Sequence, residues 1–372
     1  MQPGHHLSEI IQSGLQQGFL HFSNDANSLS ECDFVFLAYD TPVNEDDSSD
    51  TSILERAVGD LANVMKNDSV LVVSSQSPVG FCRQLRSRLR EKNKSLELAY
   101  SPENLRLGEA IQCYLSPGRI ILGTESPAAE RKCRELFAQI QADTLCMNLE
   151  SAEMVKHGIN SFLAMSIVFA NHLADICETA GARIDDVVRG MKTDPRIGAK
   201  AYLSCGIGFS GGTLGRDLQV LSRKNSERKG YAKIFSVIHE LNSERKSSII
   251  ERIARILGGI EGRSVGILGL TYKPGTSTLR RSLPLEIVNL LIDRKANAKV
   301  YDPKADYGEL GPELRFKVAS SIKDAAEGAD ILILLTEWPN FKAYDWQHLP
   351  QLMRQPFLLD TKNVLNEDQM IG

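Results

Sequence analysis

Short apolar runs alternate with helical patterns in both the first and the last third of the chain, and this alternation constrains the fold more than any other feature. In the first third, residues 34–38 and 70–73 are typical of buried strands, and a helical pattern over 53–65 separates them. In the last third, residues 264–268 and 331–335 show the same strand character. Strands separated by helices of about 10 to 15 residues predict right-handed crossovers, and therefore α/β domains with doubly wound parallel sheets.

A long helix is predicted between the two sheet regions. From 151 to 180, apolar residues recur every three or four positions, which is the period of an amphipathic helix. Gly181 is suited to end this helix, because glycine adopts the left-handed conformation that is common after a helix C-terminus. A helix of about 30 residues extends about 45 Å. We therefore expect it either to connect two domains or to pack against its own copy in a dimer.

Composition narrows the class of protein. The length of 372 residues suggests two or three domains at roughly 150 residues each. The net charge of -4 argues against a nucleic-acid partner, which would need a cationic surface. The seven cysteines are scattered without a C-x-x-C pair, which favours free thiols in a reducing compartment over disulfides or a zinc site. The apolar runs are too short for a membrane span and the first residues lack the cations of a signal peptide, so we expect a cytoplasmic protein without membrane or metal.

A glycine-rich segment is the first candidate for binding. Residues 204–217 contain five glycines and end in Arg216 and Asp217. Glycine permits positive φ and lets a ligand approach the backbone closely, so the segment indicates a substrate cradle, with a mobile linker as the alternative. Lys156 and Asn160 lie four residues apart and therefore share one face of the long helix, although such a pair is also common on a solvated face.

Polar residues follow several predicted strands. Glu103 comes shortly after the strand that ends near residue 100, and Ser75 follows the preceding strand. Ligands of open α/β sheets bind at the carboxyl ends of strands, so Glu103 stands where a catalytic carboxylate would stand, a capping role being the alternative. Residues 273–276 and Arg280 follow the strand over 264–268, where a phosphate would meet backbone donors and cations.

Six segments occur together in a fixed order. They are Tyr-Ser-Pro-Glu at 100–103, Ser-Ala-Glu-Met-Val-Lys at 151–156 with Asn160, Asp-Pro-Arg-Ile-Gly at 194–198, the glycine-rich segment ending in Asp217, Tyr-Asp-Pro-Lys at 301–304 and Thr-Glu-Trp at 336–338. In order and separation they resemble the UDP-glucose/GDP-mannose dehydrogenase family of nucleotide-sugar dehydrogenases, over nearly the whole chain. The resemblance implies two Rossmann-like doubly wound parallel-sheet domains joined by a long central helix and a helical connector.

The resemblance also implies an organisation and an activity. It divides the chain into a truncated NAD-binding-type Rossmann domain over 1–148, a central helical dimerisation domain over 149–258 and a C-terminal UDP-sugar-binding α/β domain over 259–372. The implied reaction oxidises the C6 alcohol of a UDP sugar to the carboxylate in two NAD-dependent hydride transfers, through a thiohemiacetal and a thioester on a cysteine. The implied partners are the UDP sugar and a second copy of the chain in a homodimer.

Site residues follow from the same resemblance. Glu103 matches the carboxylate that serves thioester hydrolysis as general acid and base. Lys156 matches the lysine that stabilises oxyanion charge, Asn160 matches its helper, and Asp217 matches the aspartate that positions water. The residues matched to substrate binding are Leu105, Arg196 (which reaches the neighbouring subunit's substrate), Gly208, Phe209, Tyr272, Lys273 and Lys362. The residues matched to cofactor binding are Ser75, Gln76, Arg216 and Arg280.

The sequence departs from the family at the nucleophile. Thr213 stands where the family has its cysteine, and an alcohol supplies no thiolate at neutral pH. Cys205 lies upstream and matches no family nucleophile. The implied product therefore stops at the aldehyde. Smaller departures are Gln76 for threonine, Arg216 for lysine and Lys362 for arginine. Replacing arginine by lysine changes binding wherever the arginine makes a bidentate contact.

A second departure concerns the start of the chain. No G-x-G-x-x-G opens it, and the glycines at 266 and 269 are only a degenerate echo of that motif. Residues 1–4 align after the family's first βαβ unit, whose strands would be central in the order 3-2-1-4-5-6, so an exposed sheet edge is expected. An incomplete gene product or mis-assigned start, another segment filling the gap, and loss of cofactor binding all remain open. The functional alternatives are an NAD-dependent UDP-sugar oxidoreductase and a catalytically inactive homologue that binds a sugar nucleotide or merely dimerises.

Overall fold

The computed structural model describes residues 5–41, 50–93, 95–102, 105, 109–209, 212–227 and 233–365. It contains two compact units, Met1–Ile159 and Asn160–Gly372, each with a five-stranded sheet. The strands are β1 Phe34–Leu37, β2 Val70–Val73, β3 Glu97–Tyr100, β4 Ile120–Thr124, β5 Thr144–Met147, β6 Ser264–Leu268, β7 Asn297–Tyr301, β8 Lys317–Val318, β9 Ile331–Leu334 and β10 Leu358–Asp360. The α-helices are α1 His5–Gln16, α2 Ser52–Leu61, α3 Phe81–Lys92, α4 Ala110–Leu115, α5 Pro127–Phe137, α6 Leu149–Ala180, α7 Ile184–Thr193, α8 Gly212–Glu227, α9 Ile234–Leu257, α10 Leu283–Asp293, α11 Ile322–Ala326 and α12 Pro339–Lys342.

The sheet of the first unit has the order β1-β2-β3-β4-β5. Both faces of β2 are buried, as the apolar run predicts for a strand of a parallel sheet. Leu71 and Val73 pack with the apolar residues of α2 and α3, whereas Val70 and Val72 pack with those of α5. Strand β1 lies at one edge of the described sheet, and Phe36 on it is 42% exposed. An edge at this strand is what the resemblance predicts.

One pairing in this sheet differs from the rest, because β3 and β4 run antiparallel while the other pairs are parallel. The two strands overlap only at their carboxyl ends, where Tyr100 is opposite Gly123, and Gly123 is in turn opposite Met147. The end of β5 and the start of α6 therefore lie beside the carboxyl end of β3. Gly123 permits this approach, since a Cβ there would lie 2.6 Å from the Cβ of Ala152 in the first turn of α6.

The sheet of the second unit has the order β10-β9-β6-β7-β8, and all its pairs are parallel. Ile331 and Ile333 of β9 pack with the apolar residues of α9 and α10, and Leu332 and Leu334 pack with those of α11 and α12. Helices thus cover both faces, which confirms the predicted α/β class for this unit. Strand β6 has β7 on one side and β9 on the other, so the strand order changes direction beside it.

Gly266 in β6 and Gly269 directly after it have a packing role. A Cβ at Gly266 would collide with the carbonyl oxygen of Ala325, and one at Gly269 would collide with Thr336. Gly269 also has φ of +88°, a conformation that favours glycine. The degenerate glycine motif in this strand is therefore explained by close packing of the backbone, not by a phosphate.

The predicted long helix is confirmed as α6, which has 32 residues. It ends before Gly181, whose φ of +71° is the left-handed stop that the sequence predicts. Within the described residues, α6 is also the one helix with the length and hydropathy of a membrane span, at a mean hydropathy of 1.3. A helix in the core of a protein that does not cross a membrane also meets these criteria of length and hydropathy. Phe162, Phe169 and Ile176 are exposed along it at intervals of seven residues.

Most predicted strands are found within two residues of their expected bounds. Strands β5 and β8 and helices α1, α4, α5, α11 and α12 were not predicted, and both of these strands have at most four residues. All seven cysteines are free thiols. Residues 42–49, between β1 and α2, lie outside the described residues.

Candidate active site

Two predicted cofactor residues lie at the carboxyl end of β2. The Ser75 hydroxyl donates to the carbonyl of Leu37 at the end of β1, at 3.2 Å. The Thr41 hydroxyl donates to the carbonyl of Gln76 at 3.0 Å. Ser75 is buried and Gln76 is half-buried. The turn after β2 is therefore tied to the segment after β1, at the sheet edge where open α/β sheets bind ligands.

Glu153 of α6 caps the N-terminus of α3. Its carboxylate accepts the backbone N–H groups of Gly80 at 2.5 Å and Cys82 at 2.8 Å, and the hydroxyl of Ser77 at 3.4 Å. Glu153 is fully buried, and this burial raises its pKa although the bound N–H groups oppose the shift. One turn along α6, His157 Nε2 donates to the Ser77 carbonyl at 2.9 Å.

Lys156 lies between these two anchors on α6. It is buried, with 9% of its surface exposed. A buried ammonium needs acceptors around it, and an ordinary solvated lysine on a helix would not be covered in this way. Sequence reasoning singled out Lys156 but missed Glu153 and His157, although Glu153 stands inside the motif at 151–156.

In the second unit, the structure brings together two residues that were predicted from distant parts of the sequence. The amide of Asn160 on α6 donates to the carboxylate of Asp217 on α8. Asn160 is 8% exposed and Asp217 is fully buried, and the neighbouring Arg216 is buried as well. Thr213 is exposed in the first turn of α8. Because Thr213 and Asp217 are four residues apart, their side chains share one face of the helix.

The loop before α8 has the close backbone approach that its glycines predict. Gly208 has φ of +106°, and a Cβ there would lie 2.6 Å from Asn242 Oδ1 of α9. The same oxygen accepts the N–H of Phe209 at 2.9 Å. The ring of Phe209 is buried against Ala164 and Val168 of α6. Both residues predicted to bind substrate from this loop are therefore held by helices α6 and α9.

A cavity of about 110 Å³ opens on one side of this loop, and we call it the front cavity. It is lined by the predicted residues Gly208 and Lys362, together with Ile167, Tyr202, Ser204, Cys205, Gly206, Glu337 and Val364. Lys362 Nζ pairs with a carboxylate oxygen of Glu337 at 3.0 Å. Burial raises the pKa of the Cys205 thiol, which keeps it protonated at neutral pH.

Tyr272 and Lys273 follow β6 and are both half-buried. Burial raises the pKa of Tyr272, and the neighbouring Tyr202 of the front cavity raises it further. The carbonyl of Lys273 accepts the hydroxyl of Thr276 at 2.9 Å, which closes a tight turn after the strand.

Three further predicted residues, Arg196, Leu105 and Arg280, are exposed. Arg196 is 87% exposed and pairs with Asp194 two residues away. Leu105 is 43% exposed, and Glu103 lies outside the described residues. Arg280 is exposed, with its backbone N–H bound to Glu309, whereas it is Arg281 whose guanidinium lies against Gly212 at the start of α8.

Asp302, in the motif at 301–304, has a structural role. One of its carboxylate oxygens accepts the N–H groups of Leu270 and Thr271 and the indole N–H of Trp338. The other oxygen accepts the N–H groups of Lys304 and Ala305. This single buried carboxylate therefore fixes the carboxyl ends of β6, β7 and β9 relative to one another.

The described residues supply no cradle for the pyrophosphate of a dinucleotide. In the described part of the first unit, no glycine-rich turn follows a strand. The N-terminal amides of α3 are bound to Glu153, whose charge opposes an anion there. The spacing G-x-G-x-x-G does occur at 206–211, but no strand leads into it. Across the described ranges there is also no group of three metal-ligating side chains.

Comparison with known proteins covers both units. Residues 4–141 match the NAD binding domain of the UDP-glucose/GDP-mannose dehydrogenase family, residues 150–244 its central domain and residues 266–367 its UDP binding domain. A UDP-glucose 6-dehydrogenase of Rickettsia prowazekii is 32% identical over 98% of this chain and 85% of its own length. Another from Bacillus subtilis is 30% identical over 99% of this chain and 80% of its own.

A solved structure gives the same result. A UDP-glucose dehydrogenase from the archaeon Pyrobaculum islandicum superposes with a TM-score of 0.86 at 26% identity, over 97% of this chain and 83% of that one. Three domain matches in order, relatives of 30% identity or more over most of their length, and a shared fold leave one assignment. The chain belongs to the UDP-glucose/GDP-mannose dehydrogenase family of nucleotide-sugar dehydrogenases.

Proposed function

We propose that this chain binds a UDP sugar and oxidises its C6 alcohol, with NAD as the hydride acceptor. The observation that carries the proposal is the buried contact between Asn160 and Asp217, one turn of α8 from Thr213. A buried carboxylate beside an exposed hydroxyl, in a chain with a matched UDP binding domain, suits proton removal from an alcohol. The relatives named UDP-glucose 6-dehydrogenases support this substrate class.

Each residue would have a distinct role. Lys156, buried on α6, would stabilise the alkoxide that forms as the alcohol loses its proton. Asn160 would orient Asp217, and Asp217 would position the water or hydroxyl that exchanges the proton. Glu103 would serve as general acid and base. Leu105, Gly208, Phe209, Tyr272, Lys273 and Lys362 would bind the sugar nucleotide, and Arg196 would reach the site of a second subunit.

NAD would accept the hydride from C6 when bound. Ser75, Gln76, Arg216 and Arg280 are the proposed contacts, and Ser75 and Gln76 fit the ribose end of a cofactor because they line the carboxyl ends of β1 and β2. The pyrophosphate has no such fit among the described residues. Titration calorimetry with NAD and with UDP-glucose tests the proposal, which requires saturable binding of both. Binding of neither would contradict it.

Thr213 limits the proposed reaction to one oxidation. A hydroxyl does not form the thiohemiacetal that carries a cysteine enzyme from aldehyde to acid. We expect one NADH per UDP sugar from the wild-type chain and two from Thr213→Cys, counted by absorbance under single-turnover conditions. Thr213→Ser is the matched control and should remain at one. Two equivalents from the wild type, formed at the rate of the first, would contradict this role of Thr213.

A second candidate function is sugar-nucleotide binding without oxidation. The capped N-terminus of α3 and the threonine at the nucleophile position favour it. In the same calorimetry, it predicts binding of UDP-glucose and none of NAD. Tight NAD binding would exclude it.

Assembly and location complete the proposal. The stripe of Phe162, Phe169 and Ile176 on α6 supports a homodimer in which this helix packs against its copy, because large exposed apolar side chains in a row mark interaction surfaces. We place the protein in the cytoplasm, where seven free thiols remain reduced. The three-domain division at 148 and 258 is part of the same proposal.

A further inference from the structure

Helices α6 and α9 bind the backbone of the glycine loop, residues 206–209, through their side chains. From this we infer that Arg245, held by Asp175, is a positioning residue that fixes this loop for the sugar nucleotide. The inference rests on the proposed function, since it concerns the loop that would enclose the substrate. It adds residues that neither the motifs nor the family resemblance points to.

Gly206 is bound on both sides of its peptide unit. Its N–H donates to Asn171 Oδ1 of α6 at 2.6 Å, and its carbonyl accepts Arg245 Nε of α9 at 3.1 Å. The loop has no strand or helix to satisfy these groups, so the side chains replace secondary structure. Asn171 is 3% exposed, and the side chain of Arg245 is 14% exposed.

Arg245 is itself fixed by an ion pair. Its Nη1 donates to both carboxylate oxygens of Asp175 on α6, at 2.7 and 2.5 Å. The planar guanidinium therefore directs one N–H to the loop and another to the neighbouring helix. Asn171 and Asp175 are four residues apart on α6, so they share the face that meets Arg245.

The other end of the loop is held from the same helix. Asn242, three residues before Arg245 on α9, accepts the N–H of Phe209 at 2.9 Å and donates to its carbonyl at 3.2 Å. With Gly208 at φ of +106° between the two anchors, few alternative backbone paths remain. The loop is thus held at Gly206 and at Phe209, and Arg245 is the anchor that depends on a charge.

One cavity is lined by the loop and a second by the residues that anchor it. The front cavity is lined by Gly206 and Gly208 of the loop, together with Lys362 and Glu337. The second cavity, of about 120 Å³, is lined by the anchoring residues Asn171, Asp175 and Arg245. Without the guanidinium, the Gly206 carbonyl would turn toward this second cavity to find water, and the wall of the front cavity would move with it. We therefore expect loss of substrate affinity beyond any loss of stability.

A second ion pair on the same two helices offers a matched control. Arg252 of α9 pairs with Glu178 of α6, seven and three residues further along, and its side chain is 35% exposed. No described hydrogen bond joins Arg252 to the loop over 204–209. Arg252→Gln thus removes an ion pair between α6 and α9 and leaves the loop untouched.

The experiment compares Arg245→Gln, Arg245→Lys and Arg252→Gln in the full chain. In the unliganded proteins, hydrogen–deuterium exchange of peptides over 204–209 should accelerate at least threefold in both Arg245 variants and remain unchanged in Arg252→Gln. The dissociation constant of UDP-glucose should rise about tenfold in both Arg245 variants, with kcat within threefold of wild type where turnover is measured. Lysine keeps a charge for Asp175, but its single nitrogen does not reproduce the planar fork in which Nε meets the Gly206 carbonyl and Nη1 meets Asp175, so it should not restore affinity.

The outcomes separate the two proposals. Unchanged exchange of the loop in Arg245→Gln, equal effects of Arg245→Gln and Arg252→Gln, or full affinity in Arg245→Lys would each overturn the positioning role while leaving the proposed function intact. A wild-type chain that binds no UDP-glucose would overturn the proposed function and, with it, the substrate role of the loop. Faster exchange with undiminished UDP-glucose affinity would also overturn the inference.

Discussion

At the scale of single residues, backbone conformation distinguishes glycines that look equivalent in the sequence. Gly208 lies in the glycine loop at positive φ with Asn242 where a Cβ would be. Gly158 lies in the middle of α6, and nothing lies within 4 Å of the position of its Cβ. The backbone conformation at Gly208 requires a glycine, whereas Gly158 only lowers the helix propensity of its segment.

We therefore expect opposite results from one substitution at these positions. Gly208→Ala should lower the free energy of unfolding by roughly 1–3 kcal/mol, because alanine is strained at this φ and meets Asn242. Gly158→Ala should raise it by about 1 kcal/mol, the helix propensity difference between the two residues. Denaturant unfolding followed by circular dichroism measures both. A stabilised Gly208→Ala protein would contradict the close approach in the loop.

At the scale of elements, α6 organises the carboxyl edge of the first sheet. It begins beside β3 because β4 runs antiparallel, and its first turns present Glu153 and His157 to the turn after β2. Glu150, one turn earlier, is half-exposed and forms an ion pair with Arg83 of α3. The two carboxylates on one helix thus occupy opposite environments, one buried and one paired with a cation.

Their pH dependence should have opposite signs. Burial raises the pKa of Glu153, so its contribution to stability is present below its unfolded value of 4.5 and is lost as pH rises through the folded value. Arg83 lowers the pKa of Glu150, so its contribution is present above 4.5 and is lost as pH falls. Relative to wild type, the Tm of Glu153→Gln should rise as pH increases above about 4.5, whereas that of Glu150→Gln should fall as pH increases toward about 4.5 from below. Parallel trends in thermal scans would contradict these environments.

The elements also show what the sequence could predict. Most of the strands and α6 were predicted because apolar periodicity is local, and Lys156, Asn160 and Asp217 were identified because motifs preserve their order. The antiparallel β4 could not be predicted, since strand direction depends on pairing between segments distant in sequence. Asn171, Asp175, Asn242 and Arg245 were missed for a similar reason. Each is an ordinary polar residue of a helix until the fold places it against the loop.

At the scale of the whole molecule, the exposed stripe on α6 is the feature that bears on assembly. Phe162 is 60% exposed, Phe169 49% and Ile176 62%. Seven-residue spacing puts all three on one side of the helix, as in helices that pack against a parallel or antiparallel copy. A solvated helix of 32 residues would not keep large apolar side chains in a row at this spacing.

Replacing Phe162 and Phe169 together by aspartate should therefore halve the molar mass in solution, because charge on both residues opposes burial of the stripe. Size-exclusion chromatography with light scattering measures the change. Leu115→Asp in α4 is the control, since Leu115 is also 60% exposed but lies outside the stripe. A wild-type monomer, or a dimer that survives both aspartates, would contradict the proposed homodimer.

The burial of four cysteine thiols affects how the protein responds to alkylating agents and oxidants. Burial raises the pKa of Cys133 to about 12 and that of Cys146 to about 11, and it raises the pKa of Cys82 and Cys205 as well. At neutral pH these sulfurs keep their protons and react slowly with alkylating agents and peroxide. Since we propose that Thr213 stands at the nucleophile position, iodoacetamide or oxidative stress that silences a thiolate-dependent dehydrogenase should leave the proposed oxidation by this protein largely unchanged.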